Sequence, residues 1–371
     1  MKHKYLLPFF LFSIVLTALW ACSDDDDNYV DVPEEIVPNV DLTLVPFVKL
    51  SDYQFFKDDL KDQQPVPSVL PYKPASSLFT DYALKKRFVW MPKNTKAIYN
   101  GDGKVLELPV GAVLIKTFYY NNVQPSNTTK IIETRLMIRV REAATVEGVY
   151  DSGWKFYNYV WNEEQTEAYL DMNGSDKVIS WMQEGVLKSN NYRIPSENEC
   201  LVCHKLNASP IPIGIKPQNL NTAFAFPEGA KNQLTKWIES GYLENTLPAN
   251  IVSTVDYNDL SQPISLRVRS YVDINCAHCH QEGSHCSYRP IRLDFTQSAQ
   301  AVNMGICVTA DQNVEGLSTI IAPGNVNRSL MHFRMNTTEA NYKMPLIGRN
   351  MIHTEAVQLM TDWINSLQSC D

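Results

Sequence analysis

The sequence predicts a multidomain chain: a β-rich, sandwich-like N-terminal domain followed by a mainly α-helical region. Three observations lead there. The chain has 371 residues, more than one hydrophobic core usually serves. Residues 46–180 are rich in β-branched and aromatic residues, which is the composition of strands. From about residue 181 the character changes, and the last third carries apolar residues at helical spacing. Overall composition is that of a globular protein, with 44% hydrophobic and 20% charged residues. Nothing in the body of the chain is long and apolar enough to span a bilayer as a helix.

The chain starts with a short positive segment, Lys2-His3-Lys4, and a nearly unbroken apolar run from Tyr5 to Ala18. Leu19-Trp20-Ala21-Cys22 follows. The run is short and ends in small residues, so residues 1–21 read as a signal peptide and not as a membrane span. The cysteine directly after Ala21 makes it resemble a bacterial lipoprotein signal, with Cys22 the lipidated residue and the membrane reached through its lipid anchor; the alternative is an ordinary secretory peptide with an incidental cysteine. One acyl chain alone binds only marginally; several anchor stably. Residues 22–45 form an acidic linker that opens with Ser23-Asp24-Asp25-Asp26-Asp27. A block of like charge this dense is solvated. It also resembles the acidic signal that sends some Gram-negative lipoproteins to the outer face of the outer membrane. The expected location is therefore the cell envelope, at the outer membrane, with a plain soluble spacer as the alternative for the acidic run.

Removing residues 1–21 takes away Lys2 and Lys4 and no acid. That leaves 31 basic against 41 acidic residues, and the net charge moves from −8 to −10. An acidic chain of this kind argues against nucleic acid as a partner. It suits a basic protein partner.

In the β-rich stretch, Val113 to Tyr120 and Ile131 to Val140 read as neighbouring strands, split by the Asn/Pro/Ser-rich loop 121–129. Trp154 to Trp161 reads as another. The Glu133/Arg135 pair and Glu163-Glu164 read as a solvated strand edge or an ion pair.

Eight cysteines are present. Four fall into two copies of one pattern, Cys200-Leu201-Val202-Cys203-His204 and Cys276-Ala277-His278-Cys279-His280. Both are C-x-x-C-H, the attachment motif of c-type haem. Two thiols three apart on one turn form thioethers to two vinyl groups of the same porphyrin, and the next histidine then lies under the iron. Two copies behind an export signal make the expected cofactors two covalently bound haems, held by Cys200, Cys203, Cys276 and Cys279, with His204 and His280 as proximal iron ligands. Paired zinc knuckles require the two C-x-x-C units roughly 12 to 20 residues apart, whereas Cys203 and Cys276 are 73 apart. Of Cys286, Cys307 and Cys370, two are expected to pair in an oxidising compartment, and the sequence does not choose which.

The helical region divides into a first haem-binding segment, 181–262, and a cytochrome c-like domain with the second haem, 263–371. Lys231 to Ser240 has helical spacing ended by Gly241. Ser265 to Asn275 reads as a helix leading into the second motif, Asn327 to Met335 as another, and Thr354 to Leu367 as a third with one apolar face. A methionine as sixth ligand raises the iron's potential and favours electron transfer. For the second haem that residue is Met344, in the loop Lys343-Met344-Pro345-Leu346, 64 residues after His280. Its rivals are Met331, Met335, Met351, His332 and His353. For the first haem, no methionine or histidine lies between Lys205 and Ala277. Its sixth ligand comes from Met172 or Met182, from the C-terminal domain, or from nowhere.

Several motifs carry a family resemblance. They are Asp273-Ile274-Asn275-Cys276-Ala277-His278-Cys279-His280; Ile321-Ala322-Pro323-Gly324-Asn325 with Arg328-Ser329; Met344-Pro345-Leu346-Ile347-Gly348-Arg349 with His353; and Asn198-Glu199 before the first motif. Upstream, Leu78 to Ala83, Pro109-Val110-Gly111, Ile132 to Arg135 and Trp161 to Thr166 add to it. Over roughly residues 48–367 the chain resembles a family of exported dihaem c-type cytochromes often associated with parallel β-helix repeat proteins. The resemblance implies two haems and electron transfer, and little about a substrate. Cys286 and the lipoprotein start depart from its pattern.

The leading functional expectation is membrane-anchored electron transfer outside the cytoplasm. A second is a peroxidase-like haem enzyme using an open first iron. A third is a surface binding module with accessory haems, which calls for an exposed aromatic groove built from Trp154, Tyr157 or Trp161.

Overall fold

Alternating apolar residues build a sheet of eight antiparallel strands in the computed structural model, which describes residues 36–370. The strands are β1 (Leu70–Pro71), β2 (Leu84–Trp90), β3 (Val113–Val123), β4 (Thr128–Arg139), β5 (Trp154–Trp161), β6 (Ala168–Leu170), β7 (Ser175–Gln183) and β8 (Val186–Ile194). Their order is β6-β5-β4-β3-β7-β8, with β2 paired to β3 and β1 to β2. The last two strands carry the sheet past the expected limit at residue 180. The signal segment, Cys22 and the acidic run lie outside the described residues.

Both faces of the sheet are covered. On one, Phe88, Val113, Ile115, Leu136 and Ile138 pack with Leu50, Tyr53 and Phe55 from the preceding segment. On the other, Val89, Leu114, Met137 and Phe156 pack with Ile215, Leu234 and Trp237 from the segment after the first motif. The expected sandwich is therefore corrected to one large sheet; the other sheets among the described residues have two strands each. Composition rich in β-branched and aromatic residues marks strands but does not say whether they form one sheet or two. Trp154 and Trp161 are buried in these cores, so the exposed aromatic groove of the binding-module expectation is not built from them.

The mainly α-helical, cytochrome c-like region is also corrected. Strand exceeds helix, 30% against 19%, and the seven α-helices among the described residues are short: α1 (Glu197–Cys203), α2 (Pro217–Leu220), α3 (Gln233–Glu239), α4 (Ile264–Asn275), α5 (Ala301–Met304), α6 (Leu330–Met335) and α7 (Thr354–Ser366). The spacing at 265–275 and 354–367 did mark real helices. Between them lie Gly283, Pro290, Gly305, Pro323 and Gly324, and glycine and proline stop helices. Turns, the short helices α5 and α6 and the hairpin Thr309–Val314/Leu317–Thr319 fill that interval instead. The expected helix 327–335 is broken at Ser329, whose hydroxyl hydrogen-bonds the backbone of Ala322 and Asn325.

Residues 37–370 belong to one compact unit. Within it α7 buries Ala356, Leu359, Met360, Trp363 and Ile364 against Val268, Tyr271 and Val272 of α4. Cys307 pairs with Cys370 across 5.9 Å between Cα atoms, which resolves the open pairing and leaves Cys286 free and buried. No helix among the described residues is long and apolar enough to cross a membrane.

Candidate functional site: two motifs on two cavities

The first motif is set by the start of α1. The Ser196 N–H donates to the Glu199 carboxylate at 2.8 Å, and Arg193 pairs with the same carboxylate at 2.8 Å. Satisfying an orphan donor this way fixes where a helix begins. Cys200 and Cys203 then fall one turn apart, and His204 caps the helix end with its N–H on the Cys200 carbonyl. His204 Nδ1 lies 3.0 Å from the Ile211 carbonyl. A carbonyl only accepts, so Nδ1 carries the proton and Nε2 keeps its lone pair for a metal. Nδ1 bonded to a carbonyl is the usual way a ligating histidine is oriented. Burial pushes the His204 pKa down to about 3, so the ring is neutral, as a ligand must be.

The second motif begins where α4 ends. Cys276 caps that helix, its N–H on the Val272 carbonyl at 2.8 Å. The following turn is held by the N–H groups of Cys279 and His280 on the Cys276 carbonyl, both at 3.1 Å, and by Cys286 N–H on the Cys279 carbonyl at 2.9 Å. Burial pushes the His280 pKa down to about 4. Its Nδ1 is buried without a hydrogen-bond partner. Burial also pushes the Cys200 thiol up to about 11 and the Cys276 thiol up to about 12.

Each motif opens onto its own cavity. Cys200 and His204 line one of about 840 Å³, mouth included, with Met172, Met137 and Phe156. Cys276, Cys279 and His280 line a second of about 1110 Å³, mouth included, together with Met331, Met335 and Met344. Cys203 belongs to the first motif yet lines the second cavity. Ligand atoms of Cys203, His278 and Cys279 all lie within 4.8 Å of one another. The two motifs, far apart in sequence, share this wall.

Met344 stands on the second cavity in a loop pinned by Arg349. That buried guanidinium donates to the carbonyls of Met344 (3.0 Å), Met351 (3.2 Å), Arg334 (2.9 Å) and Thr337 (2.8 Å). Sequence reasoning quoted Arg349 only as part of a motif; its place five residues after Met344 was the available signal. Met331 and Met335 face the same cavity, while Met351 and His332 do not line it. His332 is bonded to Thr361 and His353 to Tyr271. For the first motif, Met172 lines the cavity and Met182 does not. The Met172 sulfur already accepts the Asn158 N–H at 3.4 Å. Glu133 and Arg135 do pair, with Glu133 fully buried, and Glu163 bridges Lys130 and Lys177.

No family model, curated protein or solved structure matches this chain. What the site can hold rests on its own residues. Two neutral imidazoles, each next in sequence to a C-x-x-C pair and lining a cavity with at least one of its thiols, fit the donor set of covalent haem. The cluster Cys203, His278 and Cys279 is also a donor set for a thiolate-binding metal ion.

Proposed function

We propose that the protein is a membrane-anchored dihaem c-type cytochrome that transfers electrons outside the cytoplasm. The observation that carries this reading is that each C-x-x-C-H motif lines a cavity, and that Cys203 of the first motif reaches the wall of the second cavity beside His278 and Cys279. Cys200, Cys203, Cys276 and Cys279 would hold the porphyrins, His204 and His280 would bind the irons, and Met344 would supply the remaining ligand at the second. The haem supplies a one-electron couple, and the chain's part is to exclude water, fix the ligands and set the two sites side by side. Cys22 carries the lipid anchor at the outer membrane, and the acidic mature chain favours a basic redox partner.

A potentiometric titration of the matured protein, followed in the visible spectrum, tests this. Two one-electron steps with low-spin ferric bands are expected. A high-spin first site with peroxide turnover would contradict the carrier reading and favour a haem enzyme.

A second reading rests on the shared wall. Cys203, Cys279 and His278 would bind one metal ion, such as zinc, in a chain without haem. Adjacent zinc knuckles are excluded by their spacing in sequence, but the fold brings these distant residues together. Metal analysis of the same preparation separates the two: zinc bound one to one with no haem favours the second.

A further inference from the structure

Three cations stand in register across the sheet. Arg87 on β2 is opposite Lys116 on β3, Lys116 is opposite Arg135 on β4, and Asn158 on β5 completes the row. Like charges directly opposite each other destabilise a sheet. The row lies on the face that also carries Val89, Leu114, Met137 and Phe156, and Arg87, Lys116, Arg135 and Asn158 all line the cavity of Cys200 and His204. Lys85 lies two residues before Arg87. Lys85, Lys116 and Arg135 gather over one ring, Phe118, at 5.9, 4.9 and 4.3 Å.

The acids nearby do not balance them. Glu133 pairs with Arg135 and also accepts from the Tyr192 hydroxyl. The Asp81 carboxylate is taken by the N–H groups of Asn350 and Met351 and by Asn190. Among the described residues Lys85, Arg87 and Lys116 form no ion pair. Burial pushes Lys85 and Lys116 well below the ordinary lysine range and lowers Arg87. A charge taken out of water is expensive unless it is paired. Neighbouring strands are about 4.8 Å apart, so the row spans roughly 10 Å. One small oxyanion cannot reach both ends of it; two separate carboxylates can.

We propose that the row Arg87, Lys116 and Arg135 receives the two carboxylates of a single ligand, the propionates of the porphyrin attached at Cys200 and Cys203. This rests on the dihaem reading. It gives the sheet a function, that of carrying the charge of the first cofactor while α1 carries its thioethers. Cations beside the porphyrin favour the reduced, more negative state, so the row raises the potential of the first haem and not of the second.

The test uses the full matured chain. Lys116→Gln and Arg87→Gln are compared with the parent and with Lys86→Gln, whose side chain bonds the Asp62 carbonyl away from the row. The expected result is two haems per chain throughout. One of the two redox steps falls in Lys116→Gln and Arg87→Gln, by about tenfold in the equilibrium, or about 59 mV for one electron. The propionate bending bands in resonance Raman shift with it, the control does not move, and Lys116→Arg restores the parent potential. Two haems with unchanged potentials and bands in both variants would overturn the inference and leave the dihaem reading standing. So would a spectral response of the parent to added succinate that Lys116→Gln abolishes, because the row would then serve a free dicarboxylate. A parent chain without haem would sink both readings. Should Arg87→Gln fail to fold, Lys116→Gln and its arginine rescue decide alone.

Discussion

Replacing Cys276 and Cys279 together by serine is expected to leave a chain with one covalent haem in place of two. The thioethers need both thiols of a motif, and the structure sets each pair on its own turn: Cys200 and Cys203 on α1, Cys276 and Cys279 after α4. Removing one pair therefore strips one site. The first site keeps its own anchors, the bond of Ser196 to Glu199 and of His204 to Ile211, which do not pass through the second. Mass measurement on denatured protein counts what stays attached. Retention of two haems by this variant would remove Cys276 and Cys279 from the site, and loss of both would mean that the first site cannot form without the second.

Replacing Lys216 by methionine is expected to destabilise the protein by about 3–5 kcal/mol, the cost of breaking a buried ion pair from one side. Lys216 Nζ lies 2.9 Å from Asp273 and also contacts Asp294, with only 12%, 1% and 5% of the three side chains exposed. Asp273 is on α4, three residues before Cys276, and accepts from Phe295 N–H and Asn219. The triad thus ties the segment after the first motif to the helix that delivers the second. Burial opposes charge on both partners, but the pairing wins. The lysine is held above its ordinary pKa by Asp273 and Asp294, and Asp294 below its own by Lys216 and Thr296. The signs follow. The lysine's share of stability is present below the ordinary lysine pKa and fades as pH rises through the raised one. The Asp294 share is present above the ordinary carboxylate pKa and fades as pH falls through the lowered one. The difference between parent and variant should be largest near neutrality and shrink below about pH 4, where free aspartate protonates. Denaturant unfolding at several pH values checks this; an unchanged midpoint at neutral pH would contradict it.

Local chemistry was readable in the chain and long-range register was not. The two C-x-x-C-H motifs, the strands around 113–120, 131–140 and 154–161, and the helices ending at Asn275 and beginning at Thr354 all follow from neighbouring residues. Met344 was placed on its cavity by a Met-Pro loop. What failed was extrapolation. Helical spacing in separate segments was extended across an interval with Gly283, Pro290 and Gly305, and a strand-rich composition was extended to a sandwich. The contact among Cys203, His278 and Cys279, the row of Arg87, Lys116 and Arg135, and the Lys216 triad all join residues from separate segments. Only strand pairing and packing bring them together, and no local pattern in one sequence announces such a pairing.

The central claim, two covalent haems on one chain, is tested most directly by a pyridine haemochrome spectrum with protein quantitation, on full-length protein matured by a c-type assembly system. The account predicts two haems per chain. No haem, with one zinc ion bound through Cys203, His278 and Cys279, would contradict it.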